Sequence, residues 1–231
     1  YPLRCGPRTI NVAVLDHSAF FAGGFLALWR SVGGTFNGTT HEGPVPADAR
    51  LIAVHRGPPL GDIVRDINKF SNNVMARNLF LTIGAIVDKP PATPQKSAQV
   101  IARFLHTQGL AMPELSLVNG SGLSREEHVS AQSLADLLQN ANASPVAQVF
   151  VASLPIAGVD GTMRNRLRNE PVLGNAHIKT GTLNDVRAIA GYVAAANGES
   201  YVVVSLINAP HAEQARAAHD ALLEWVYRGL R

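Results

Sequence analysis

The chain has 231 residues, 46% of them apolar and 16% charged, with a formal net charge of +3 at pH 7. That length buries a full core as one large domain, or one domain plus a short piece of another, and the composition excludes a disordered or low-complexity chain. The scattered positive charges, densest at Arg164, Arg166 and Arg168, read as a solvated helix face rather than a nucleic-acid patch, and a single cysteine, Cys5, excludes an intrachain disulfide.

Tyr1-Pro2-Leu3-Arg4 has neither the basic nor the apolar region of a signal peptide, and no initiating methionine opens the chain. The start is therefore expected to be a cut inside a longer protein. Thr9 to Leu15 alternates apolar and polar at first and predicts a strand. Asp16 or Ser18 is placed to cap a helix running to about Val32, ended by Gly33-Gly34. Leu51 to His55 predicts a short strand. Leu60, Ile63, Val64 and Ile67 fall at helical spacing, so Pro59 to about Phe70 is an amphipathic helix. Beyond Ser71-Asn72-Asn73, Val74, Leu79, Phe80 and Ile83 predict a second helix, more buried than the first. Asp88 to Pro94 holds three prolines and reads as a loop. Ala98, Ile101, Phe104 and Leu105 mark a further helix, stopped by Gly109.

Asn119-Gly120-Ser121-Gly122 is turn chemistry, and Leu134, Leu137 and Leu138 belong to a helix starting near Ser130. Residues 145–169 read as helix in two short pieces, broken at Pro155 and Gly158. The longest uncharged apolar stretch, Val149 to Val159, contains Ser153 and Pro155 and is too short to span a bilayer. In the final third the period changes. Ala176 to Thr182, Val186 to Ala195 and Tyr201 to Leu206 predict three strands, joined by turns at Asn184-Asp185 and Asn197-Gly198. A closing helix runs from about Glu213 to Arg228 with Ala218, Leu222, Trp225 and Val226 inward. Helices followed by an antiparallel meander and a terminal helix make an α+β layout, not a doubly wound one.

Two short motifs carry chemistry. Lys179-Thr180-Gly181-Thr182 lies in a strand, and Ser71-Asn72-Asn73 stands about a hundred residues upstream. The bland reading of Lys179 is a surface lysine beside a turn glycine. With the hairpin turn at Asn184-Asp185, however, Gly181 falls inside the strand, where glycine often marks close approach by a ligand or another backbone. Strand alternation sets Lys179 and Thr180 on opposite faces, so both serve one site only at a twisted edge. The bland reading of Ser71 is the N-cap of the following helix. The functional reading puts its hydroxyl and the Asn73 amide at a rigid, partly positive corner. Ser-x-Asn and Lys-Thr-Gly in this order accompany a nucleophilic Ser-x-x-Lys in penicillin-binding proteins and serine β-lactamases. No serine of this chain has a lysine three positions later. His41-Glu42 and Glu127-His128 are isolated pairs without metal-ligand spacing, and no phosphate-binding loop or dinucleotide fingerprint occurs.

Taken together, Phe70-Ser71-Asn72-Asn73-Val74-Met75-Ala76, Asn119-Gly120-Ser121-Gly122-Leu123-Ser124-Arg125, Leu154-Pro155-Ile156-Ala157-Gly158-Val159-Asp160-Gly161-Thr162 and Lys179-Thr180-Gly181-Thr182-Leu183 are a closer match. The chain resembles the D-alanyl-D-alanine carboxypeptidase/endopeptidase family, the low-molecular-mass class C penicillin-binding proteins. Asn119 departs from the aspartate common there. The resemblance implies a transpeptidase-like, β-lactamase-type α+β fold, interrupted by inserted domains after its Ser-x-x-Lys helix. Residues 1–15 are then expected to be the tail of the insertion, and 16–231 the C-terminal part of the resumed domain.

The resemblance also implies roles. A serine outside this chain attacks the penultimate D-Ala carbonyl of a peptidoglycan stem peptide, and the acyl-enzyme is hydrolysed by water. Ser71 relays a proton to the leaving amine, and Asn73 hydrogen-bonds the peptide. Lys179 keeps the site electropositive. Thr180 and Thr182 hold the terminal carboxylate, the Thr182 N–H gives half of the oxyanion hole, and Gly181 lets the peptide lie along the strand edge. Leu123 and Leu183 line the pocket for the substrate side chain. β-Lactams act as inhibitors, no metal or organic cofactor is needed, and the periplasm follows from the substrate's location. Partners are the stem peptide, β-lactams and the missing N-terminal segment; no nucleic acid and no transmembrane segment are expected. Two other readings stand beside this one: a serine β-lactamase, and a non-catalytic module that only binds stem peptides.

Overall fold

The computed structural model describes residues 14–229, which divide between Arg56 and Gly57 into two units. The predicted strand Thr9 to Leu15 lies almost wholly outside the described residues.

In the first unit, α1 spans His17–Ser31, and the Asp16 carboxylate accepts a hydrogen bond from the Ala19 N–H at 2.7 Å. This is the N-cap expected from the sequence. No side chain of α1 is buried; Phe21, Phe25 and Trp29 stack along it at i, i+4 spacing with centroids 6.5 and 6.4 Å apart. Leu51 to His55 is not a strand. Propensity alone makes no ladder: no described segment pairs with it, and Ile52 remains 96% exposed.

The second unit begins with α2 (Leu60–Phe70), α3 (Asn73–Asp88) and α4 (Pro94–Thr107). α3 packs chiefly on α4 and less on α2, so it is not the more buried helix: Phe80 and Gly84 are covered, while Val74, Ile86 and Val87 face outward. After the 108–130 loop come α5 (Ala131–Asn142), which starts near Ser130 as expected and is capped by that serine, and the short α6 (Ala147–Ser153). The second helical piece predicted before residue 169 is only a 3₁₀ turn, Gly161–Met163, among further turns. Arg164, Arg166 and Arg168 therefore do not share a helix face, and Arg166 is half-buried against Asp220 at 2.6 Å.

The sheet is β1 (Ala176–Leu183), β2 (Val186–Ala194) and β3 (Ser200–Asn208), antiparallel in the order β1-β2-β3. The fold is α+β, as expected. Alternation gives each face its own core. Ile178, Ile189, Val193 and Val203 pack with Met163, Val172 and with Leu223 and Val226 of the closing helix α7 (Arg216–Tyr227). On the other face Tyr192 packs with Leu138 of α5 and with Leu154, and its hydroxyl donates to Leu138 O at 2.6 Å. The buried face of α7 differs from the expected one by a residue: His219, Leu223 and Val226 point inward, while Ala218 is exposed and Trp225 is 48% exposed. A histidine counts as polar in a hydrophobic pattern, yet here Nε2 meets Ser205 Oγ at 3.1 Å, so the ring is buried with its polar atom satisfied.

That burial gives stability a pH dependence. Burial first, then the nearby Arg166 cation, lower the His219 pKa from 6.5 against the opposing Asp220 carboxylate, and burial likewise lowers that of His177. The unfolded chain therefore binds more protons below pH 6.5 than the native one. Stability is full above pH 6.5 and falls as pH drops below it, each imidazole adding a slope of at most about 1.4 kcal/mol per pH unit. Urea unfolding from pH 7.5 to 5 checks this; His219→Gln should flatten the decline, and an unchanged slope would count against the assignment.

Candidate active site

Ser71 stands at the corner between α2 and α3. It is the C-cap of α2, in the left-handed region at φ 51°, ψ 48°, a conformation that costs a non-glycine residue about 1–3 kcal/mol. The N-cap of α3 is Asn72, whose side-chain oxygen accepts from the Met75 N–H at 3.1 Å. The bland reading of Ser71 as that cap is thus corrected, and its hydroxyl takes another partner. Lys179 Nζ donates to Ser71 Oγ at 2.8 Å, joining residues 108 apart in sequence. Asn73 opens α3, half-buried on the same corner.

Lys179 reaches Ser71 because β1 alternates. Ala176 and Ile178 enter the core with α7, whereas His177 and Lys179 point the other way, His177 Nδ1 lying 3.2 Å from Val151 O of α6. Lys179 Nζ also donates to Thr180 O at 2.8 Å. Burial lowers the pKa of this ammonium from 10.5, and no carboxylate salt-bridges it among the described residues. The Thr180 hydroxyl does not join Lys179 and Ser71: its Oγ1 lies 2.8 Å from Thr162 Oγ1.

The edge of β1 away from β2 is half covered. Ile178 N–H donates to Pro155 O at 2.7 Å and Ala157 N–H to Ala176 O at 2.9 Å, so the 155–157 segment occupies the first half. By the same alternation Thr180 and Thr182 turn their N–H groups to this edge, where no described backbone carbonyl receives them. Gly181 pairs with Ala188 within the strand, as expected from the turn at Asn184-Asp185. An extended peptide can add to this open half by main-chain hydrogen bonds.

Two clefts lie under the 115–129 loop, near the β1–β2 turn. One, of about 720 Å³, is lined among others by Gly122, Arg125, Gly181 and Leu183; the other, of about 620 Å³, by Arg125, Thr182, Leu183 and Arg187. Leu183 lines both. Leu123 lines neither and is 45% exposed, so the two leucines do not form one wall. Arg125 bonds Asn184 O at 2.8 Å, and the Glu127 carboxylate accepts from the N–H groups of Val118, Asn119 and Gly120. These two residues fix the loop; Glu127 was expected only as half of an isolated Glu-His pair, and Arg125 only as the end of a matching segment with no role assigned. The sequence reading passed over Lys69, which is 7% exposed and bound to Asp160 at 2.7 Å. Its position two residues before Ser71 and two after the apolar Ile67 was the only available signal.

Comparison with known proteins agrees with this geometry. The D-alanyl-D-alanine carboxypeptidase of Actinomadura sp. (strain R39) is 36% identical over 231 residues, covering 96% of this chain and 42% of that protein. The D-alanyl-D-alanine carboxypeptidase DacB of Haemophilus influenzae is 31% identical over 87% of this chain and 43% of its own length. The crystal structure of penicillin binding protein 4 (dacB) from Haemophilus influenzae superposes with a TM-score of 0.83 at 30% identity, covering 94% of this chain and 50% of that one. The same protein complexed with a novel β-lactam gives 0.82 over 95% of this chain and 52% of its own. This chain thus spans less than half the length of the two sequence relatives. The family model of the D-Ala-D-Ala carboxypeptidase 3 (S13) family matches residues 1–228, and with the serine–lysine corner in place the chain belongs to that family.

Proposed function

We propose that this chain is the C-terminal part of a serine-type D-Ala-D-Ala carboxypeptidase/endopeptidase that acts on peptidoglycan stem peptides in the periplasm and is inhibited by β-lactams. On this reading residues 1–15 are the tail of an insertion and 16–231 the resumed domain, of which the unit Gly57–Arg231 carries every site residue. The observation that supports it is the 2.8 Å bond between Lys179 and Ser71 beside an open strand edge.

The chemistry follows from that arrangement. The peptide adds along β1, its carbonyls reaching the N–H groups of Thr180 and Thr182, with Gly181 leaving room for its backbone. The Thr182 N–H faces the oxygen that becomes negative in the tetrahedral intermediate. Lys179 stabilises that charge and the terminal carboxylate, assisted by the threonine hydroxyls. Ser71, held by Lys179, passes a proton toward the leaving D-Ala amine, and Asn73 orients the peptide amide. Leu183 lines the side-chain pocket. The nucleophilic serine and its lysine base come from Ser-x-x-Lys, which this chain does not contain.

Fluorescent penicillin tests the proposal. The intact gene product is expected to give a covalently labelled band, and residues 1–231 alone none, because binding groups without the nucleophile cannot form an acyl-enzyme. A labelled band from the isolated chain would refute the nucleophile's assignment. A second reading is a stem-peptide binding module. Release of D-Ala by the intact protein separates the two, and rapid penicillin turnover would point to a β-lactamase instead.

A further inference from the structure

We propose that Lys69 and Asp160 are positioning residues that set Ser71 against Lys179; this rests on the function proposed above and adds a device to it. α2 packs on α6, α3 and the Gly161–Met163 turn. The alignment of its C-cap, Ser71, with Lys179 must therefore be carried by whatever joins α2 to β1.

The 153–162 segment is that join. On one side it holds the end of α2: Asn68 Nδ2 donates to Ser153 Oγ at 2.8 Å, and Lys69 Nζ donates to Leu154 O at 2.6 Å and to both Asp160 oxygens at 2.9 and 2.7 Å. On the other side it holds β1, through Pro155 O to Ile178 N–H and Thr162 to the Thr180 hydroxyl. Asp160 closes the segment on itself by accepting from the Ile156 N–H at 2.9 Å. Gly161 completes the fit: at φ 56°, a Cβ there would lie 2.7 Å from Lys69 O. Lys69, two residues before Ser71, thus gives three hydrogen bonds to one segment, and that segment is hydrogen-bonded to the strand of Lys179. A buried lysine satisfied on every proton, placed between the two motifs, has the geometry of a tether.

The pair stabilises the fold as well, so the test must separate the two roles. Lys69→Met/Asp160→Asn removes both charges together while keeping length and the Ile156 bond, and replacing a buried pair as a unit is often tolerated. Asp160→Glu keeps the ion pair and lengthens the tether by one methylene. Two readouts are followed. In the intact gene product, the rate of acylation by penicillin is expected to fall at least 10-fold in both variants, measured where the proteins remain folded. In residues 1–231, the Lys179 ammonium, followed by NMR of lysine labelled at Cε and assigned with Lys179→Arg, is expected to titrate at higher pH, nearer 10.5, once it is released from the corner. Unchanged titration and unchanged acylation in folded Asp160→Glu overturn the positioning role and leave the function intact. Absence of label on the unvaried gene product overturns the function, and the NMR titration then still decides whether the tether sets Lys179. Should the double variant fail to fold, Asp160→Glu carries the test alone.

Discussion

Replacing Lys179 by methionine is expected to lower penicillin acylation of the intact gene product by about 10²–10³-fold while leaving the fold as stable as before, or more so. The two effects share one cause. The ammonium is largely buried, donates to Ser71 Oγ and Thr180 O, and has no salt-bridging carboxylate among the described residues. Such a charge is useful to an anionic transition state and costly to the native state. Its pKa is lowered from 10.5, so on this count folding becomes easier as pH rises from the folded value toward 10.5, where the native lysine has lost its proton and the unfolded one still holds it. Below the folded value methionine of the same length removes the cost. Acylation of the unvaried protein should correspondingly fall away on an alkaline limb below pH 10.5. Thermal melts beside acylation rates check the prediction; a large loss of stability in Lys179→Met, or acylation within a few-fold of the original, would contradict it.

Gly191→Ala is expected to be the most damaging single methyl group in the sheet, costing at least about 3 kcal/mol, or roughly 6–12 °C in melting temperature for a chain of this size. A Cβ at residue 191 would lie 2.0 Å from the His177 carbonyl oxygen and 3.0 Å from Ile178 Cα, at φ 158°. Neither contact is with a flexible side-chain end, so β1 and β2 must part. The damage falls at the residues preceding Lys179: His177 and Ile178 anchor β1 to α6, to Pro155 and to the core. Acylation should therefore fall together with stability, unlike in Lys179→Met. A melting temperature within 2 °C or so of the original would show that the strands yield more easily than the spacing implies.

The parts of this fold that were legible in the sequence are those decided within a few residues. Asp16 caps its helix as its side chain predicts, α5 starts near Ser130, and the Asn184-Asp185 turn places Gly181 inside β1. Alternation in β1 and β2 was enough to foresee the meander. Elements needing a distant partner were misjudged. Leu51 to His55 has strand propensity but no ladder to join, and the face of α7 was offset by a residue because His219 meets a serine on another strand. The Ser71 corner turned on one competition: Asn72 takes the capping role, which releases the hydroxyl toward Lys179.

Local chemistry by itself determined which residue types were present for acyl transfer, because Ser-x-Asn and Lys-Thr-Gly are short patterns read from neighbours. It also determined the order of helices and strands around them. Only the tertiary structure decided that the two patterns touch, that Thr180 turns to Thr162 instead, and that Lys69 is buried against Asp160. The reason is physical: hydrogen bonds and ion pairs spanning about a hundred residues depend on packing that no local pattern encodes, whereas caps, turns and alternation are settled by backbone geometry within a few peptide units.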